Sequence, residues 1–233
     1  MPRPSSVALF LALLALTDRA TAQDAPLARR GDRMYVIGDS EAFLLMQELP
    51  ALARASGVTL DSAVVPGSSV IQWSTVLHRE WWQARRFRPD VLVVILGAND
   101  ACMGTRIVHN EAATIVPGQP SYLERMLARI RRVRARTVVW LGPPAIGVPP
   151  QGVASRHPQA VAGLAEFATM IRGTGLPYFD ARDISVGMWD DQLHCSRPRH
   201  QRDPSNGCLT WATWAWRRLG LLPDNPLVAT QGT

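Results

Sequence analysis

Five short apolar runs, rich in β-branched residues, punctuate the chain: Met34–Ile37, Thr59–Val65, Val91–Leu96, Thr137–Leu141 and Pro177–Phe179. Each reads as a strand. Between them apolar positions recur at helical spacing. This predicts helices over Ala42–Ala55, Val70–Arg86, Tyr122–Arg134 and Gln159–Arg172, with a last one from about Leu209 to Leu219. Strand and helix alternate throughout, which implies parallel strands with helices on both faces. The near-continuous apolar character of Val91–Leu96 fits a strand buried on both sides. The expected fold is therefore α/β: a flavodoxin-like three-layer arrangement around a five-stranded parallel sheet. The Pro/Gly-rich stretch Gly142–Gly152 reads as a long loop, because too little chain follows it to build a second core.

The first 22 residues fall outside this pattern. Arg3 precedes an apolar run from Val7 to Leu16, and Ala20-Thr21-Ala22 supplies small residues for cleavage. That is the layout of a secretory signal peptide, and its apolar run is too short to span a bilayer. No Cys follows to take a lipid. The expectation is export to the periplasm or medium, with residues 23–233 as one domain and no integral membrane segment after cleavage.

Composition adds little: 47% hydrophobic and 19% charged residues, with a net charge of +6, are ordinary for a globular enzyme. All 25 basic residues are Arg, which reads as a genome-wide bias. Arg125, Arg129, Arg131, Arg132, Arg134 and Arg136 resemble a nucleic-acid footprint at first. Leu123, Met126, Leu127, Ile130 and Val133 interleave at helical spacing, however, and no aromatic residue stands among them to stack on bases. The arginines read as a solvated helix face, and no nucleic-acid partner is expected. Tryptophans 73, 81 and 82 read as structural. Trp211 and Trp214, three apart in the last helix, read as core, and Trp189 as a pocket-rim or packing residue.

The chemistry lies at the strand ends. Gly38-Asp39-Ser40 follows the first strand, Gly67 the second and Gly97-Ala98-Asn99-Asp100 the third, while Asp191-Gln192-Leu193-His194 lies beyond the fifth. In an open α/β sheet ligands bind at the carboxyl ends of strands, so chance matches would scatter where these do not. Ser40, between a strand end and a helix start, suits a nucleophile and would also serve as a helix N-cap. Asp39 reads as a turn former and Asp100 as a brace for its loop. The Ser40 and Gly67 amides and the neutral Asn99 side chain are candidate oxyanion donors. His194 is the candidate base, and Asp191, three residues upstream, can fold back to orient it. Asp190 competes for that role. His78, His109, His157 and His200 lack such a partner. No Cys/His/carboxylate cluster shows metal-ligand spacing, and no Gly-x-Gly-x-x-Gly follows the first strand, so neither metal nor cofactor is expected.

On these residues the chain resembles the SGNH (GDSL-type) hydrolases, whose title letters are the Ser, Gly, Asn and His above. The resemblance runs from Tyr35 to His194. It implies a serine esterase with Ser40, Asp191 and His194 as triad and Ser40, Gly67 and Asn99 as oxyanion hole. Glu41 stands where the family's title motif has Leu, and Cys195 with a polar insertion follows His194.

Three cysteines in an exported chain allow one disulfide. Cys195 and Cys208 bracket the polar Ser196–Gly207 segment, where a bridge would pin a loop lacking a core. Cys102–Cys195 is the rival pairing. The expected activity is removal of a short acyl group, acetyl foremost, from a carbohydrate, envelope polymer or small ester. Lysophospholipase or lipase-like action on longer chains, O-acyl transfer, and a non-catalytic binding protein on the same fold are the alternatives.

Overall fold

The computed structural model describes residues 26–103, 119–146, 158–184, 193–196 and 206–222. The leader, Trp189, Asp190 and Asp191 lie outside these residues. Five strands, β1 (Arg33–Gly38), β2 (Thr59–Val64), β3 (Val91–Ile95), β4 (Thr137–Leu141) and β5 (Tyr178–Phe179), form one sheet. All pairings are parallel, in the order β2-β1-β3-β4-β5. That is the flavodoxin-like order, with a switch point between β1 and β3.

The helices among the described residues are α1 (Ser40–Leu45), α2 (Leu49–Ser56), α3 (Val70–Thr75), α4 (His78–Phe87), α5 (Ala98–Met103), α6 (Tyr122–Val133), α7 (Pro158–Arg172) and α8 (Gly207–Arg218), with a 3₁₀ turn at Ala181–Asp183. Strand alternation divides the core. Met34, Val36, Val93 and Ile95 pack with α1, α2 and α8 on one face, where Trp211 and Trp216 are buried. Tyr35, Ile37, Leu92 and Val94 pack with α3, α4, α6 and α7 on the other, around Trp73, Trp81, Trp140 and Phe167. Every residue of β3 is buried, as its unbroken apolar run requires. No helix among the described residues is long and apolar enough to cross a membrane.

Two expected helices are each split in two. Ala42–Ala55 breaks after Leu45 because Pro50 opens α2: it has no N–H to continue the earlier helix, but fits a first turn. Val70–Arg86 breaks after Thr75, where the Ser74 and Thr75 hydroxyls both donate to Ile71 O at 2.7 Å. Side chains that compete for a helical carbonyl weaken the helix there. The last helix starts earlier than expected, at Gly207, because Asn206 Oδ1 accepts from Leu209 N at 3.0 Å. In it Trp211 pairs in burial with Trp216 rather than with Trp214, which is half-buried against Phe179. Trp82 is 51% exposed, unlike Trp73 and Trp81.

Candidate active site

The site grows from three turns at the carboxyl edge of the sheet. Gly38 closes β1 where α1 leaves at once: a Cβ there would collide with Ile95 O and Ala42 Cβ, so only glycine lets the helix start so near β3. Asp39, not Ser40, is the N-cap, and its carboxylate accepts from Glu41 N at 2.9 Å. Ser40 is thus the first helical residue. Its Oγ lies 2.8 Å from His194 Nε2 across 154 positions of sequence. Both side chains are half-buried, shielded but reachable.

Cys195 holds His194 in place through a disulfide with Cys208, at the start of α8, and Cys102 retains its thiol. Cys208 N also donates to Ser196 O at 3.1 Å. Since α8 packs against α1, the segment carrying His194 is tied to the helix that neighbours Ser40. Asp191 and Asp190, the expected orienting acid and its competitor, lie outside the described residues.

Gly67 is exposed, with φ +76°, a conformation that side-chain-bearing residues rarely adopt, and open space where a Cβ would stand. Among the described residues neither the Gly67 nor the Ser40 N–H has an acceptor. Asn99 stands in the first turn of α5, a helix the sequence pattern did not show. Its Nδ2 donates to Ser68 O at 2.9 Å and to Asp39 Oδ2 at 3.3 Å.

A buried polar frame, missed in the sequence, joins the three turns. Asp39 links the first to Asn99 on the third. Asp100 reaches from the third to the second, accepting from Val70 N at 3.1 Å at the start of α3. Ser68 Oγ accepts from Trp73 Nε1 at 2.9 Å, fixing the turn whose carbonyl receives Asn99. Asp39 and Asp100 are nearly inaccessible to solvent. Burial pushes the Asp39 carboxyl up to about 7, with the Asp100 charge adding to it, and burial pushes Asp100 up to about 7 too. Glu41, at the Leu position of the family motif, is also buried. The described residues hold no group of three His, Cys, Asp or Glu able to grip a metal ion.

Residues 37–203 match the family model described as the GDSL-like Lipase/Acylhydrolase family. No curated protein sequence matches the chain. Among solved structures the fold is similar to three of interest. A catalytic mutant of an acetylxylan esterase from Geobacillus stearothermophilus shares 13% identity, covers 85% of this chain and 99% of its own, and has a TM-score of 0.55. A candidate acylhydrolase from Bacteroides fragilis shares 14% identity, covering 87% and 95%, with a TM-score of 0.53. An acetyl xylan esterase, AlAXEase, shares 14% identity, covering 79% and 98%, with a TM-score of 0.52.

Proposed function

Since the chain belongs to the GDSL-like lipase/acylhydrolase family and is a carboxylic ester hydrolase of that type, we propose that it is an exported serine esterase that removes short acyl groups, chiefly O-acetyl, from a carbohydrate or envelope polymer. The observation that carries this reading is the 2.8 Å contact of Ser40 Oγ with His194 Nε2. Ser40 Oγ attacks the ester carbonyl while His194 Nε2 takes its proton. His194 returns that proton to the departing alcohol, leaving an acyl-Ser40 ester. Water, deprotonated by His194, then attacks the acyl carbon, and His194 returns the proton to Ser40 Oγ as the acid departs. Asp191 holds the imidazolium.

The oxyanion meets the Ser40 and Gly67 N–H groups first. Asn99 joins them by exchanging its bond to Ser68 O for one to the substrate oxygen, while Asp39 keeps the amide oriented. Each such donor contributes about 3 kcal/mol to the transition state.

Support for a small acyl group comes from the composition of the sequence beyond Asp100, Leu141 and Cys195. Gly142–Arg156 and Ser196–Gly207 are rich in Arg, Pro, Gly and Ser, and neither they nor Ala101–Gln119 contain Phe, Trp or Tyr. Each buried methylene is worth about 0.8 kcal/mol, so a site without an apolar trough gains little from longer chains. Two of the similar structures are acetylxylan esterases, which agrees with this choice. Export is supported by the leader pattern and by the Cys195–Cys208 disulfide, a bond suited to an oxidising compartment.

The test is a series of p-nitrophenyl esters from acetyl to octanoyl, run with wild type and Ser40→Ala. kcat/KM is expected to be highest for acetyl and to fall by octanoyl, with turnover lost in the variant. A steady rise with chain length points to a lipase instead. Retained turnover in Ser40→Ala removes Ser40 as nucleophile.

A further inference from the structure

At the opposite pole from Ser40 lies a second concavity. β1 runs from Arg33 to Gly38, so roughly 17 Å of strand separates the two. The cleft has a volume of about 650 Å³ and is lined by Arg33, Trp82, Arg85, Arg86, Phe87 and Arg88. Four of its six residues are cationic. None of Arg85, Arg86 and Arg88 forms an ion pair among the described residues. Asp90, two residues beyond Arg88, is turned to the backbone, its Oδ2 accepting from Arg33 N at 2.9 Å. Glu80 lies more than a turn earlier on α4.

Two of the arginines are held against aromatic rings. Arg33 lies over the Phe87 ring at 4.4 Å and donates to Phe87 O, and Arg86 lies 5.3 Å from the centroid of half-exposed Trp82. Arg88 has φ +52° at the end of α4, a position that usually goes to glycine and costs another residue on the order of 1 kcal/mol. The positive field extends on to α6, where burial, then Arg132 and Arg85, lower the pKa of Arg129.

We propose that this cleft binds an acidic polysaccharide, with uronate carboxylates paired to Arg85, Arg86 and Arg88 and a pyranose ring resting on Trp82. Guanidinium forks pair with carboxylates through two parallel hydrogen bonds, and an indole offers an apolar face to sugar C–H groups. Nucleic acid suits the cleft less well, because single strands bind along several stacking rings and only Trp82 is exposed here, Phe87 being half-buried under Arg33. A membrane suits it less well too, because interfacial binding uses a broad apolar face and the cleft exposes one large apolar side chain, Trp82. The site tethers the enzyme to a charged polymer and raises the local concentration of its esters. It stands apart from the Ser40 reading, since binding is measured without turnover.

The full chain is run in native gels containing polygalacturonate, neutral xylan or no polymer. Polygalacturonate alone is expected to retard it, less so as salt rises. Arg85→Gln/Arg86→Gln, on an exposed helix face, is expected to weaken binding about tenfold while p-nitrophenyl acetate hydrolysis and Tm stay unchanged. Ser40→Ala protein is expected to bind as wild type does. No retardation at low salt, equal retardation of wild type and double variant, or tighter binding to duplex DNA or phosphatidylglycerol vesicles than to polygalacturonate overturns the proposal.

Discussion

Asp100→Asn is expected to stabilise the protein at alkaline pH and to lose that advantage at acid pH. The Asp100 carboxyl is raised from 3.8 to about 7 by burial. An acid whose folded pKa is raised has its full stability below the unfolded value and loses it as pH climbs through the folded one. A rise of about three units costs about 4 kcal/mol once the group is ionised in both states. Roughly 3 kcal/mol of that loss falls between pH 5 and pH 8. Asn keeps an oxygen for Val70 N but brings a buried NH₂ that costs about 1–3 kcal/mol if it finds no acceptor. That cost is the same at both pH values. The difference between variant and wild type therefore moves in the variant's favour by about 3 kcal/mol from pH 5 to pH 8. Asp180 does not blur this window: the Arg182 hydrogen bond holds its carboxyl low, so its contribution is lost only in stronger acid. Urea unfolding at both pH values, with the disulfide intact, measures the difference. A variant-to-wild-type gap that does not change with pH would refute a neutral, buried Asp100.

The remaining expectations concern the site and its scaffold. Asp191→Asn should lower kcat by about 10⁴-fold, while Asp190→Asn should leave most activity, if Asp191 orients His194; equal losses measured with p-nitrophenyl acetate would reverse the assignment. Cys208→Ser opens a bridge between residues 13 apart and should cost about 3 kcal/mol in urea unfolding. It should also lower kcat, because His194 then loses its tie to α8; full activity in the stable fraction would separate the disulfide from catalysis. Asn99→Ala should lower kcat by about 10²-fold with little change in KM, the mark of a donor used only in the transition state; an unchanged kcat would leave the Ser40 and Gly67 amides as the whole oxyanion hole.

The sheet was legible because its signal is one-dimensional. A strand buried on both faces must be apolar at every position, and Val91–Ile95 is. The disulfide was legible for a related reason: Ser196–Gly207 carries no aliphatic or aromatic residue from which to build a core, so the cysteines flanking it are the natural pair. The breaks in the first two helical stretches were less visible, although Pro50 announced one of them. The other depends on Ser74 and Thr75 turning their hydroxyls back onto Ile71 O, a rotamer choice that composition does not record. α5 escaped notice because it has only six residues, too few for a helical period to emerge.

The site divides along the same line. Ser40, Gly67 and Asn99 could be picked out because each follows a strand, and strand ends are where open α/β sheets do chemistry, while His194 stood out by the Asp three residues before it. What joins those turns was hidden. Asp39 and Asp100 look like ordinary turn aspartates, because an Asp beside a glycine or at a helix start is usually explained by local hydrogen bonding. Asp39 does make that local bond, to Glu41 N, yet it also receives Asn99 from 60 positions away, and Asp100 receives Val70 N from 30 away. Both carboxyls are nearly neutral-poised only because the turns close over them, and no neighbour in sequence reports that closure. Residue identity therefore discloses which groups can react. The pairing that holds them still is set by which turns the sheet order brings side by side: β2, β1 and β3 are neighbours, and their three following turns share one buried frame.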